Sequence, residues 1–162
     1  MNEIKLHQGR VFRTTPGVSF SDLTVAHSNG LDLVEHTGPS VSPPDKDGKP
    51  QWYVHVNQTD NNRVLSGSRL FELYNPSWPR RHWFVYLDNT AGALEIPPGT
   101  FHRSYSGNEG SLLLNQAVRN SSFNELEEFV PCYCEEALNY APHYHGISPW
   151  GVTTFINHGE YA

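Results

Sequence analysis

The chain has 162 residues, a formal net charge of −6 and only 17% charged residues, while aromatics reach 12%. That length suits one domain with a single sizeable core, and 13 Gly with 12 Pro beside 37% hydrophobic residues fits a turn-rich globular chain, not a disordered one. The negative balance argues against broad nucleic-acid binding, which needs a basic footprint, and no run of about 18 apolar residues offers a membrane-spanning helix. The N-terminal MNEIKLHQGR lacks the apolar core of a secretory signal. Cys132 and Cys134 stand one residue apart, too close to staple a secreted scaffold. The expectation is a soluble, reduced, cytoplasmic protein. Its basic residues are lopsided: after Lys49 every fixed positive charge is an arginine.

In chain order, residues 1–50 offer N-terminal strands around Val11–Phe12 and Val18–Val25, then a Pro-, Gly- and Asp-dense loop over Gly38–Pro50. That loop reads as an exposed excursion and not a domain linker, because too little chain precedes it to form a separate core. Short runs of strand formers follow. Trp52–Val56 alternates large and polar residues, and Arg63–Leu65 and Leu70–Tyr74 flank Gly67 as the arms of a hairpin. Trp83–Leu87, Ala93–Ile96, Phe101–Tyr105 and Leu112–Val118 come next, separated by turn signals such as Asp88-Asn89 and Pro97-Pro98-Gly99. Short strands at this even spacing predict an all-β antiparallel sandwich or barrel, with its core over residues 51–120. One short helix is marked by the capping-box pattern Ser122-x-x-Glu125, with Phe123, Leu126, Phe129 and Val130 at helical spacing and Pro131 as its stop. The tail, 121–162, holds that helix, a loop, and a last strand-like run, Val152–Ile156.

Two constellations carry chemistry. In a strand, residues i and i+2 share a face, so His55 and Asn57 point the same way, with Asp60 and Gly67 beyond them. Further on, Pro97-Pro98-Gly99-Thr100-Phe101-His102 sets His102 at the start of a strand. Two imidazoles on neighbouring barrel strands would converge in one cavity. A lone strand histidine is by default a hydrogen-bonded core residue; the agreement of two independent spacings is what lifts this pair above that default. Asp60, in the run Asp60-Asn61-Asn62, reads first as a turn residue.

The pair resembles the two motifs of the cupin barrel. His55-x-Asn57 with Asp60 and Gly67 follows the first motif, and Pro97-x-Gly99-x-x-His102 matches the second. Trp83–Ser106 is similar to the same block of the RmlC-like sugar-nucleotide cupins, the dTDP-4-dehydrorhamnose 3,5-epimerases and the dTDP-4-keto-6-deoxyhexose ketoisomerases. The resemblance covers roughly residues 50–130. It implies a cupin-type double-stranded β-barrel (jelly roll), a homodimer, no cofactor, and an isomerase acting on a nucleotide-activated deoxysugar. Asn57 departs from the second His of metal cupins, Asp60 from the Lys of the epimerases, and Leu112–Arg119 offers no Tyr.

Within that reading His55 is the base that takes a carbon-bound proton next to a sugar ketone, since a free imidazole titrates near 6.5. His102 or a lumenal tyrosine supplies a hydrogen bond to the enolate oxygen. Asn57, Arg63, Arg69 and Tyr105 form the substrate-binding set, the arginines as forks for phosphate oxygens. By strand parity Arg63 and Arg69 share one face. Two alternatives stand beside it: a barrel that binds a small carbohydrate without turnover, and a metal-dependent cupin oxygenase using His55, Asp60 and His102. A zinc site from Cys132, Cys134, His143 and His145 is the weaker rival, because its x-spaced pairs depart from usual zinc spacings.

Overall fold

The computed structural model describes residues 4–146. Its strands, in order, are β1 (Lys5–His7), β2 (Arg10–Thr15), β3 (Val18–Asp22), β4 (Gly30–His36), β5 (Ser40–Ser42), β6 (Gln58–Tyr74), β7 (His82–Asp88), β8 (Ala93–Ile96), β9 (Phe101–Ser106), β10 (Ser111–Arg119) and β11 (His143–Gly146). A single helical turn, α1 (Glu125–Glu128), and a 3-10 turn (Glu135–Asn139) complete the regular structure. No helix among the described residues is long and apolar enough to cross a membrane.

One strand organises the barrel. The first half of β6 pairs with β8 and β10, and β1 and β4 extend that wall. Its second half pairs with β7 and β9, and β5 and β11 extend the other wall. The expected hairpin about Gly67 is therefore a single 17-residue strand. The chain bends at this point and does not reverse. In the ladder with β10, Leu112 faces Ser66 and Leu113 faces Val64, so Leu65 is an extra, bulged residue. Gly67, just beyond, has φ +72°.

The bulge shifts the inward parity. Before it the even residues Asp60, Asn62 and Val64 face inward; after it the odd residues Arg69, Phe71 and Leu73 do. Arg63 and Arg69 thus lie on opposite faces of β6, against the shared parity expected from their spacing. Val64, Phe71, Leu73, Trp83, Val85 and Leu94 pack one part of the interior as the main apolar core. The inward residues of β4, β10 and β9 leave the other part polar.

The strands over Trp83–Leu87, Ala93–Ile96, Phe101–Tyr105 and Leu112–Val118 form as expected, each a residue or so longer at one or both ends or unchanged. Trp52–Val56 is no strand: Trp52 and Tyr53 make single bridges to Cys132 and His102, and the chain then leaves the sheet. Asp60-Asn61-Asn62 forms no turn. All three are buried within β6, where Asn61 Nδ2 donates to Gln116 O and Asn115 Oδ1 accepts from Asn61 N. The helix is capped by Asn124, whose Oδ1 accepts from Leu126 N, while Ser122 N is held by Asn120 Oδ1 instead of forming the expected box. Val152–Ile156 lies outside the described residues.

Because any side chain at 67 needs a left-handed backbone and drives its Cβ into the Gly110 carbonyl, Gly67→Ala is expected to lower unfolding stability by at least about 1–3 kcal/mol in urea titrations. Gly17→Ala, at a similar φ in the exposed β2–β3 turn with nothing near its Cβ, is expected to cost clearly less. Equal losses at the two positions would show that close packing at the bulge is unimportant.

Candidate active site

Three side chains meet inside the polar part of the barrel: His55 from the segment before β6, Asp60 from β6 and His102 from β9. Their ligand-type atoms all lie within 4.8 Å of one another, and all three residues are buried. They line a cavity of about 220 Å3 together with Tyr53, Asn62, Arg69 and Phe129.

Backbone carbonyls set both imidazoles. His55 Nδ1 lies 3.0 Å from Glu128 O, and His102 Nδ1 lies 3.0 Å from Thr100 O. A carbonyl only accepts, so each Nδ1 carries a proton and each Nε2 turns to Asp60 Oδ2, at 3.5 and 3.4 Å. The other oxygen, Asp60 Oδ1, accepts from Gln58 Nε2 and, at 2.9 Å, from Asn115 Nδ2. Arg119 fixes the Gln58 amide by donating from Nε to its Oε1 at 2.7 Å.

These partners separate the titrations. Burial alone raises the Asp60 pKa, but the two imidazoles and Gln58 outweigh it, so Asp60 stays ionised with its pKa below the ordinary value. Burial lowers the His55 pKa, and Asp60 with Glu128 more than offsets this, so the net shift is upward. For His102 burial wins over Asp60, and the ring is held neutral. The two rings are thus shifted in opposite directions, His55 upward and His102 downward.

Glu128, the last residue of α1, was not foreseen from the sequence. Its buried carboxylate accepts from Val56 N at 2.9 Å, Asn57 N at 3.1 Å and Asn57 Nδ2 at 2.8 Å. It thereby closes the segment that carries His55. The neighbouring Phe129 sets its ring edge-on to His55, centroids 5.1 Å apart, and Tyr53 stacks near-parallel to His55 at 6.5 Å.

The sequence matches no protein-family model and no curated protein. Solved structures do match. The QdtA sugar 3,4-ketoisomerase from Thermoanaerobacterium thermosaccharolyticum, in complex with TDP, superposes with a TM-score of 0.55 at 16% identity, over 76% of this chain and 85% of that one. The WlaRB TDP-quinovose 3,4-ketoisomerase from Campylobacter jejuni gives 0.58 at 15%, over 86% and 99%. The RmlC dTDP-6-deoxy-D-glucose-3,5-epimerase from Legionella pneumophila gives 0.60 at 12%, over 79% and 71%. The chain has the RmlC-like cupin fold.

On this cupin frame the expected site residues divide. His55, His102, Asp60 and Arg69 share the cavity. Asn57 does not enter it with His55. With the chain off the sheet there, its side chain donates to Glu128 and accepts from Asn120. Arg63 lies on the opposite face of β6, carried there by the bulge. Tyr105 is outside the barrel, because His102 and Ser104 take the inward positions of β9 and leave Arg103 and Tyr105 outward. There its hydroxyl donates to Glu72 at 2.6 Å, beside a separate cavity of about 620 Å3. Tyr53 is the tyrosine of the lumen. Cys132, Cys134, His143 and His145 form no ligand cluster among the described residues.

The cupin fold also raises the question of a metal. Two Nε2 lone pairs and one carboxylate oxygen converge at 3.4–3.5 Å, with both Nδ1 protons anchored on carbonyls. That donor set fits a divalent cation held by two histidines and one carboxylate.

Glu128→Ala is expected to destabilise the fold by about 1–3 kcal/mol, since it strips a charged acceptor from three part-buried N–H groups. Glu128→Gln is expected to lower the His55 pKa, followed by imidazole NMR. A raised folded-state pKa stabilises fully below the unfolded value of about 6.5 and is lost as pH rises through the folded value. Wild-type stability should therefore fall across that window and the Gln variant's fall should come at lower pH. An unchanged His55 titration in the Gln variant would refute the coupling.

Proposed function

We propose that the chain is a proton-transfer isomerase of the ketoisomerase or epimerase kind, acting next to the ketone of a nucleotide-activated sugar. The observation that carries this reading is the state of His55: one imidazole with a raised pKa, anchored through Nδ1, its Nε2 turned to the cavity beside an ionised Asp60. Above its pKa the neutral ring accepts a carbon-bound proton at Nε2. Asp60 and Glu128 then stabilise the imidazolium, as a base working near neutral pH requires. His102, neutral and with its proton spent on Thr100 O, is no donor to the enolate; it flanks Asp60 from the other side. Tyr53 is the candidate donor at the enolate oxygen. A single base returning the proton on the face it came from favours a shift between adjacent carbons, the ketoisomerase type, over inversion at one carbon. The structural neighbours include enzymes described with TDP and dTDP-4-keto-L-rhamnose, which supports a sugar-nucleotide ligand.

A second reading rests on the convergence of the two Nε2 atoms on Asp60 Oδ2: a metal-dependent cupin in which His55, Asp60 and His102 hold one divalent cation. Bound there, the cation would supply Lewis-acid or redox chemistry.

One experiment separates them. In D2O, wild-type protein is expected to wash label into TDP-4-keto-6-deoxyglucose at a carbon next to the ketone. His55→Gln should slow this by about 10²–10⁴-fold, and chelator treatment should leave it unchanged. Label entry that disappears on chelation and returns with added Mn2+ or Fe2+ would transfer the case to the metal reading. No label entry with untreated protein, into this neutral sugar or into a keto sugar acid such as 5-keto-D-gluconate, would sink the isomerase.

The assembly reading is a homodimer. The β2–β3 hairpin stands apart from both walls, with Val11 61% and Phe12 56% exposed beside Val18 and Phe20. Such an apolar arm fits a second copy of the chain. Light scattering should give twice the 18.3 kDa chain mass, and Phe12→Asp should give the monomer. A monomeric wild type would overturn it.

A further inference from the structure

Arg69 is the one arginine on the wall of the inner cavity, and it is 2% exposed. Every partner it has is neutral. Nε donates to Ser111 Oγ at 2.8 Å, and Nη2 donates to Val34 O at 3.1 Å and Ser111 O at 3.4 Å. Nη1 makes no hydrogen bond among the described residues, and no carboxylate among them lies within ion-pair distance of the guanidinium. The two acids on the same wall are committed elsewhere: Asp60 to Gln58, Asn115 and the imidazoles, and Asp32 to Arg119. A sealed cation without a counter-charge is a costly arrangement, which an anion entering from outside relieves. Its field is felt nearby, where burial and then Arg69 push the His36 pKa down to about 4.

Resting on the reading of this cavity as an isomerase site, we infer that the sugar unit of the substrate is an acid whose carboxylate is taken by Arg69. Three observations choose a carboxylate over a phosphate. One open guanidinium nitrogen matches a single negative charge. A dianion would leave excess charge beside Asp32 and Asp60. The cavity, at about 220 Å3, lies below the roughly 300–1,000 Å3 typical of drug-sized ligands, so it holds a sugar unit and not a diphosphate with it. Position agrees. Leu73 pairs with His102 across β6 and β9, and Arg69 lies four residues earlier on the same strand, so the guanidinium lines the same cavity as the imidazoles from a different point of its wall. The same chemistry is met by a free keto sugar acid and by a nucleotide-linked sugar acid whose nucleotide stays outside.

Calorimetric titration of the full chain tests this with two matched pairs: 5-keto-D-gluconate against D-fructose, and UDP-glucuronate against UDP-glucose. The acid is expected to bind at least about tenfold tighter than its neutral partner in one pair, and the pair that responds identifies the source. Arg69→Met should equalise that pair, and Arg69→Lys should keep part of the preference. If Arg69→Met does not fold, the wild-type comparison decides alone. Equal binding of acid and neutral partner in both pairs, or no binding of either acid at millimolar concentration, overturns the inference. Binding needs no turnover, so the two readings fail separately. Acid preference without label wash-in removes the isomerase and keeps the carboxylate site. Wash-in to a neutral keto sugar without acid preference does the reverse.

Discussion

The inner site depends on how one buried carboxylate is shared. Asp60 is sealed in the barrel, where an isolated charge is expensive, and each of its oxygens has a separate set of partners. The amides of Gln58 and Asn115 can only donate from nitrogen, so they keep Oδ1 ionised and fix the plane of the group. Oδ2 is then left facing two imidazole nitrogens. The imidazoles in turn are fixed by carbonyls at their far side, one on the α1 segment and one on the turn before β9. No single member could be moved without changing the protonation of the others, because a carboxylate between two unprotonated nitrogens requires a proton or a cation. The asymmetry between His55 and His102 follows from Glu128, which adds a second negative group on the His55 side only.

The bulge in β6 decides where that site can exist. Without the extra residue at Leu65, the inward face of the strand would stay on even positions, placing Leu70, Glu72 and Tyr74 inside and Arg69, Phe71 and Leu73 outside. One inserted residue gives the second wall an apolar lining next to Trp83 and Val85, and brings Arg69 into the same cavity as Asp60. Gly67 permits the bend because the Gly110 carbonyl lies where a Cβ would be. The polarity of one part of the lumen and the packing of the other are thus both consequences of one local irregularity.

This explains what could be read from the chain. The strands from Trp83 to Val118 are runs of strand-forming residues with strong turn residues between them, so their existence and approximate bounds were visible. His55, His102 and the Pro-Pro-Gly turn stood out because two spacings agreed. Parity along β9 already implied that Tyr105 faces away from His102. The bulge had no such signal: Leu65-Ser66-Gly67 looks like hairpin chemistry, and a one-residue insertion is written in the pairing, not in the residue types. Glu128 was missed and Asn57 misplaced because their partners are distant in sequence. A glutamate on a short acidic helix reads as solvated, until the chain folds its carboxylate onto the N–H groups of Val56 and Asn57.

The excess of arginine over lysine gains a physical sense at one position. Burial costs any cation, and a buried lysine can fall to a pKa of about 5–6 and lose its charge. Arg69 starts so high that burial brings it only to about 10, and it stays charged at neutral pH. Its delocalised group can also spend two nitrogens on Ser111 and Val34 and keep a third for a ligand, which an ammonium on a flexible stem does less well. The protein as a whole is acidic, with a formal charge of −6, so its surface offers anions no general attraction. Selection of an anionic substrate then falls to a single fixed charge inside the barrel. That arrangement favours small acids able to enter the lumen over polyanions, which a basic surface would collect without discrimination.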